Sequence, residues 1–164
     1  MRGYDGGKKV NGRKRHLLVD TQGLVMEALV SPANVHDKEG ALSLLDPFAL
    51  AKRFPRMAKV WVDKAYAGLV DWARESLGWD MEVVKGGWTD IDLKRVFLPP
   101  GMKLPQIPKG FQVLPRRWVV ERTFAWLGRN RRLAKDYEYL TTTGEALIYA
   151  SMVRLMLRRL AKPG

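Results

Sequence analysis

The sequence contains no cysteine. This excludes disulfides, thiolate zinc sites and cysteine nucleophiles, and it fits a reducing compartment. Long apolar runs are also missing. No stretch reaches the ~18 unbroken apolar residues of a membrane span, and the segment after Met1 is polar and rich in Gly and Lys rather than apolar like a signal peptide. A cytoplasmic location with no membrane partner is expected. Histidine occurs twice, and neither His16 nor His36 has a second histidine at ligand spacing, so a structural or phosphate-facing role is expected for both. Carboxylates are the scarce charge: 17 Asp and Glu stand against 29 Lys and Arg, for a net +12. Such an excess points to a polyanion, nucleic acid first.

The 164 residues suffice for one domain, and 46% hydrophobic content suffices for a core. The positive charge is not spread evenly. Residues 1–16 carry six bases against Asp5, and residues 116–135 carry seven against Glu121, whereas residues 17–115 balance twelve bases with twelve acids. Two basic segments far apart in sequence form one phosphate-binding footprint if folding joins them.

Two apolar runs, His16 to Val19 and Leu24 to Val30, flank Asp20-Thr21-Gln22-Gly23 and predict a hairpin. A helix capped by the Asp37 side chain and closed by Pro47 follows, then a helix-like run from Phe48 to Phe54. Lys59 to Asp63 predicts a short strand, the run from Tyr66 to Gly78 a helix, and Met81 to Val84 a second strand. This alternation implies an α/β fold with some parallel pairing. Residues 86–115 hold five of the nine prolines and read as an irregular insertion loop, in which Trp88 is a candidate stacking residue. Arg116 to Arg132 and Gly144 to Ala161 predict two helices, the second with Ala146, Leu147, Ala150, Val153, Leu157 and Leu160 on its apolar stripe. Residues 1–7 predict no strand, and no internal repeat is present.

Two carboxylates carry the chemistry. Asp63 ends a buried-looking strand, where open α/β sheets bind ligands, although capping the following helix is an equally plain use for it. Glu121 is the one acid in a basic, apolar helix that reads as buried almost all round. Its partner is either Arg117, one turn earlier, or a divalent metal shared with Asp63.

Four blocks, GRKRHLLVDTQGLV, SPANVHDKEGA, VWVDKAYAG and RRWVVERTFAWLGRNRRLAKDYE, together resemble the transposases of the IS4/IS5 insertion-sequence group, over residues 3 to about 155. The resemblance implies an RNase H-like mixed sheet flanked by helices and a DDE active site. In that site two aspartates and a glutamate hold two Mg²⁺ or Mn²⁺ ions for DNA cleavage and strand transfer. Asp63 matches the second aspartate and Glu121 the glutamate. Arg117 matches the arginine of the family's Tyr, Arg, Glu, Lys signature, whose tyrosine and lysine positions are here Leu114 and Gly128. The candidate DNA contacts are Arg13, Lys14, Arg15, Lys64, Arg117, Arg122, Arg129, Arg131 and Arg132.

The family's first strand, with its first aspartate, has no counterpart here: Asp5 lies in a glycine-rich loop and Asp20 in a turn. Residues 1–164 thus read as the C-terminal part of a catalytic domain, from a split gene or a truncated copy. Activity of the chain alone is expected to be very weak or nil. The partners implied are DNA, an upstream-frame transposase polypeptide and a second copy on DNA. A non-catalytic DNA-binding remnant is the alternative, and an unrelated basic RNA-binding protein explains the charge but not the carboxylate at position 121.

Overall fold

The computed structural model describes residues 2–84 and 116–161, so the insertion loop, Trp88 and Leu114 lie outside the described residues. Strands β1 (Gly3–Asp5), β2 (Val10–Val19) and β3 (Val25–Pro32) form an antiparallel sheet in that order. β1 corrects the strandless reading of residues 1–7. The Asp5 carboxylate accepts the amides of Gly7 and Lys8, which closes a turn and returns the chain so that Tyr4 pairs with Asn11. The second turn is built similarly. Asp20 Oδ1 accepts the amides of Gln22 and Leu24 at 2.8 Å each, and Gly23 takes φ +80°, which favours glycine.

Helix α1 (Asp37–Leu44) starts without the expected cap. Asp37 is its first residue, and its carboxylate instead pairs with Lys14 of β2 at 3.0 Å. Pro47 does not close α1; it opens α2 (Pro47–Arg53), where its fixed φ suits the first helical position and Asp46 caps the Phe48 amide. β4 (Lys59–Val62) and β5 (Asp80–Val83) pair in parallel, joined by a 3₁₀ turn (Lys64–Leu69) and α3 (Val70–Leu77). Gly78, at φ +67°, ends α3 in the left-handed conformation. The mixed α/β class expected from the alternation is therefore present.

Helices α4 (Arg117–Gly128) and α5 (Thr141–Leu160) complete the described elements. Among the described residues of α4 one stripe is buried, Val119, Thr123 and Leu127 at spacing four, whereas Glu121 is exposed and Trp118 is 45% exposed. This corrects the reading of a helix buried all round. On α5 the buried residues are Ile148 and Met152, while Val153, Leu157 and Leu160 are exposed. The apolar stripe is rotated from the expected one because two polar side chains fix the helix on β3. Glu145 accepts the Val30 amide at 2.9 Å, and the Tyr149 hydroxyl accepts the Ala28 amide at 3.0 Å while donating to Glu27. These bonds also cover the outer edge of β3, which otherwise presents unpaired backbone groups.

Two hydrophobic clusters result. One joins Leu18 of β2 to Leu44, Leu50, Val60, Leu69, Trp79 and Met81. The other joins Ala28 and Val30 of β3 to Leu127, Leu133, Ile148 and Met152.

Candidate active-site cleft

Asp63 follows directly on β4, so the strand fixes its Cα while its side chain starts the 3₁₀ turn. One oxygen, Oδ1, accepts the Ala65 amide at 2.8 Å. The capping use is thus real, and it holds the carboxylate in one orientation. Beside it, Tyr66 is half-buried. Burial, with the negative charges of Asp37 and Asp63 nearby, pushes its phenol up to about 12, so it stays a neutral hydroxyl at physiological pH.

Glu121 reaches the same region from the far end of the sequence. Its helix is held by the β2–β3 turn: Thr123 Oγ1, fully buried, donates to the Gly23 carbonyl at 2.6 Å, and Arg122 donates to the Gln22 carbonyl at 2.7 Å. The approach is too close for a larger residue. A Cβ on Gly23 would stand 2.8 Å from Thr123 Oγ1 and 3.2 Å from the Trp126 ring. The Arg122 guanidinium is stacked between Trp118 and Trp126, at 4.4 and 4.8 Å from their ring centres. Such cation–π contacts keep the first turns of α4 rigid.

Asp63 and Glu121, 58 positions apart, both line one cleft of about 1120 Å³. Its walls are β2 (Arg15 to Val19) and β4 (Lys59 to Val62), with Leu44, Leu69 and Met81 on one side and Val119, Val120 and Phe124 of α4 on another. Asp20 also lines it, but its Oδ1 is occupied by the turn amides. Among the described residues no three His, Cys, Asp or Glu side chains cluster closely enough to hold a metal ion.

The candidate cations divide into two sets. Arg13, only 5% exposed at its side chain, holds the carbonyls of Glu138 (2.7 Å) and Tyr139 (2.6 Å) and the Asp136 carboxylate. Arg15 donates to the Leu133 carbonyl at 2.7 Å, and its burial lowers its pKa. Lys14 bonds the Val35 carbonyl and Asp37, and Arg132 grips Glu138 with two nitrogens. With Arg122, these five side chains tie β2, its turns and the α4–α5 connection together. Lys64, Arg129 and Arg131 are exposed, as is Arg132 despite its bonds to Glu138. The Arg117 backbone begins α4, and its side chain lies outside the described residues. His16 has the structural role expected of it: it is buried, with Nε2 2.8 Å from Ser31 Oγ, and burial lowers its pKa.

The family described as Transposase DDE domain matches residues 1–156. The chain belongs to that family. This DDE domain is also 29% identical, over 132 residues, to a protein of Burkholderia cepacia described as a putative transposase for insertion sequence element IS402. That alignment covers 77% of the chain and 54% of the relative, so the chain spans about half the length of the curated relative it matches. No solved structure matches. The sequence reading missed Gly23, Thr123 and Tyr66 around the cleft. Gly23 offered a signal in its turn motif, but its dependence on Thr123 crosses 100 positions and is invisible without the fold.

Proposed function

We propose that the domain takes part in DNA transposition as an RNase H-like DDE core, with Asp63 and Glu121 as two of its metal-binding carboxylates. The observation that carries this reading is the shared cleft: two acids from distant elements face one cavity, on a strand end and on a helix pinned by a turn. The donor set fits a hard divalent ion such as Mg²⁺ or Mn²⁺. Both ligands are carboxylates, and Mg²⁺ sites commonly use one or two carboxylates with water and substrate phosphate for the rest. When bound, such ions activate the attacking oxygen and stabilise the leaving oxygen of a phosphodiester. The residues present act as supports. Asp63 is oriented by the Ala65 amide, Glu121 is carried by α4, and the neutral Tyr66 hydroxyl can donate a hydrogen bond at the same wall.

DNA is the proposed partner, with its backbone contacted by Lys64, Arg129 and Arg131 and by Arg117. Arg13, Lys14, Arg15, Arg122 and Arg132 serve binding indirectly, by holding the frame. The IS4/IS5 affiliation and a C-terminal position within a longer enzyme belong to the same proposal, as do an upstream polypeptide or second copy as partner and a weak or absent activity of the chain alone. A non-catalytic DNA-binding role is the second reading. It is favoured by one observation, that no three-ligand cluster occurs among the described residues.

Calorimetric titration of Mn²⁺ separates the two. The catalytic reading expects saturable binding that Asp63→Asn and Glu121→Gln each weaken at least tenfold. Retained DNA binding with no metal binding supports the second reading and overturns the first.

A further inference from the structure

Helices α4 and α5 meet at a second hollow of about 200 Å³, which shares no lining residue with the cleft. Three exposed arginines line it: Arg129 at the C-terminal end of α4, and Arg154 and Arg158 one turn apart on α5. Positive groups converging on one space repel each other unless a negative group lies between them. The residues from 116 to 161 hold four carboxylates, and none lines this hollow. Glu121 lines the cleft, Asp136 pairs with Arg2 and Arg13, Glu138 pairs with Arg132, and Glu145 accepts the Val30 amide. Attraction to a helix C-terminus accounts for a base in the last turn of α5 such as Arg158. It does not account for Arg154 one turn earlier, or for arginines of two helices lining one space.

The other lining groups select the kind of anion. Asn130 uses Oδ1 to accept the Arg132 amide at 3.2 Å, which leaves its side-chain NH₂ to donate. Ser151, one turn before Arg154 on α5, adds a hydroxyl. Trp126 lines the hollow too, but the guanidinium groups of Arg122 and Arg159 each lie 4.8 Å from its ring centre, so its stacking surface is taken and offers no platform for a base. The space is smaller than the roughly 300–1,000 Å³ of pockets for drug-sized ligands and suits a single compact anion. Arginine forks match phosphate oxygens in pairs. The apolar remainder of the lining, Met152 and Leu155, belongs to the core shared by β3, α4 and α5, which fixes the walls.

We propose that this hollow is a phosphate-binding pocket, in which Arg129, Arg154 and Arg158, helped by Asn130 and Ser151, seat one phosphate of a DNA backbone. The anion chemistry stands on these side chains alone; the choice of DNA as the source of the phosphate rests on the reading above. From Glu121 to Arg129 the helix advances eight residues, about 12 Å along its axis, which matches about three to four phosphates of one strand. The pocket therefore grips DNA a few nucleotides away from the carboxylates of the cleft.

The test uses the 164-residue chain without metal. Inorganic phosphate is titrated at constant ionic strength, balanced with chloride, and followed by NMR at the arginine Nε–H and asparagine side-chain signals. Signals of Arg129, Arg154, Arg158 and Asn130 should move together and saturate. Arg154→Gln and Arg158→Gln, which keep a good helix former, should each raise the half-saturation concentration at least fivefold. Lys52→Gln, which removes an exposed charge outside both cavities, should leave it within twofold. Shifts that never saturate, or that Lys52→Gln weakens equally, indicate screening and overturn the pocket. A DNA duplex then tests the source of the phosphate. Arg129→Ala alone, and Arg154→Gln together with Arg158→Gln, should each lower the slope of log affinity against log salt by about 1. All three changes combined should also lower it by about 1, because they remove the same phosphate contact. A drop of about 2 or more in the combined variant indicates separate surface contacts and overturns the shared pocket. Phosphate binding with no DNA binding, or with an unchanged slope, marks a site for free phosphate and overturns the DNA assignment. Asp63→Asn and Glu121→Gln should leave the phosphate titration intact, so failure of the metal site and failure of the pocket are read separately.

Discussion

Thr123 donates its hydroxyl to the carbonyl of Gly23 at 2.6 Å, in a contact with no measurable exposure of the threonine. This bond joins the β2–β3 turn to the middle of α4 and so sets where Glu121, two residues earlier, meets the cleft. Thr123→Val keeps the shape and removes the donor, leaving a carbonyl unsatisfied. A loss of about 1–3 kcal/mol is expected in urea unfolding. Thr123→Ser keeps the donor and should recover most of the loss; a valine variant as stable as the parent removes the turn from the account.

Glycine at position 23 follows from the same contact. Gly23→Ala adds a Cβ at 2.8 Å from Thr123 Oγ1 on a backbone with φ +80°, so both sterics and strain oppose it. Thermal melting should fall clearly. The double variant with Thr123→Ser is expected to fare no better, because the ring of Trp126 at 3.2 Å remains in the way.

Some of the cations hold the frame, and others are proposed to hold DNA. Arg13→Ala should cost about 3 kcal/mol of stability, because loss of a nearly buried guanidinium leaves two carbonyls without their donor and Asp136 with Arg2 alone. Arg129→Ala with Arg131→Ala should leave melting within ~0.5 kcal/mol of the parent. That pair should reduce DNA affinity and lower the slope of log affinity against log salt by about 2, one phosphate contact for each arginine. The opposite pattern, with Arg13 affecting only DNA and Arg131 only folding, contradicts the division.

His16 gives stability a pH dependence of known sign. Burial lowers its folded pKa below the unfolded value of about 6.5, although Asp37 opposes the shift. The unfolded chain therefore binds a proton more readily as pH falls through that value, and stability must decline with it. Melting at pH 5 should lie below that at pH 7.5, and His16→Gln should flatten this component. Gly40 is tied to the same ring: a Cβ there would stand 2.2 Å from His16, so Gly40→Ala should destabilise at every pH.

Much of the fold was legible because local chemistry wrote it. The Asp20 turn, the parallel strands around the α3 crossover and the left-handed end at Gly78 are decided by neighbours in sequence. The strand at Gly3–Asp5 and the helix start at Pro47 were missed although their Asp5 and Asp46 contacts are local, whereas three other failures share one cause. The rotation of α5 is set by Glu145 and Tyr149 meeting β3, the exposure of Trp118 and Glu121 by the stripe α4 presents to Gly23, and the use of Asp37 by Lys14 across the sheet. Each is a tertiary contact that no periodicity encodes. The same holds for the cations. Charge density found Arg13 and Arg131 alike, but only their partners distinguish a clamp on Glu138 and Tyr139 from an exposed base.

The central claim is that Asp63 and Glu121 act on a common divalent ion. Paramagnetic broadening by substoichiometric Mn²⁺, followed at backbone amides of the isotope-labelled chain, reads this directly. The account predicts that signals flanking position 63 and those flanking position 121 broaden together at the same metal concentration, and that Asp63→Asn abolishes both. Broadening at one of the two positions alone, or survival of the effect at position 121 in the Asp63→Asn variant, contradicts it.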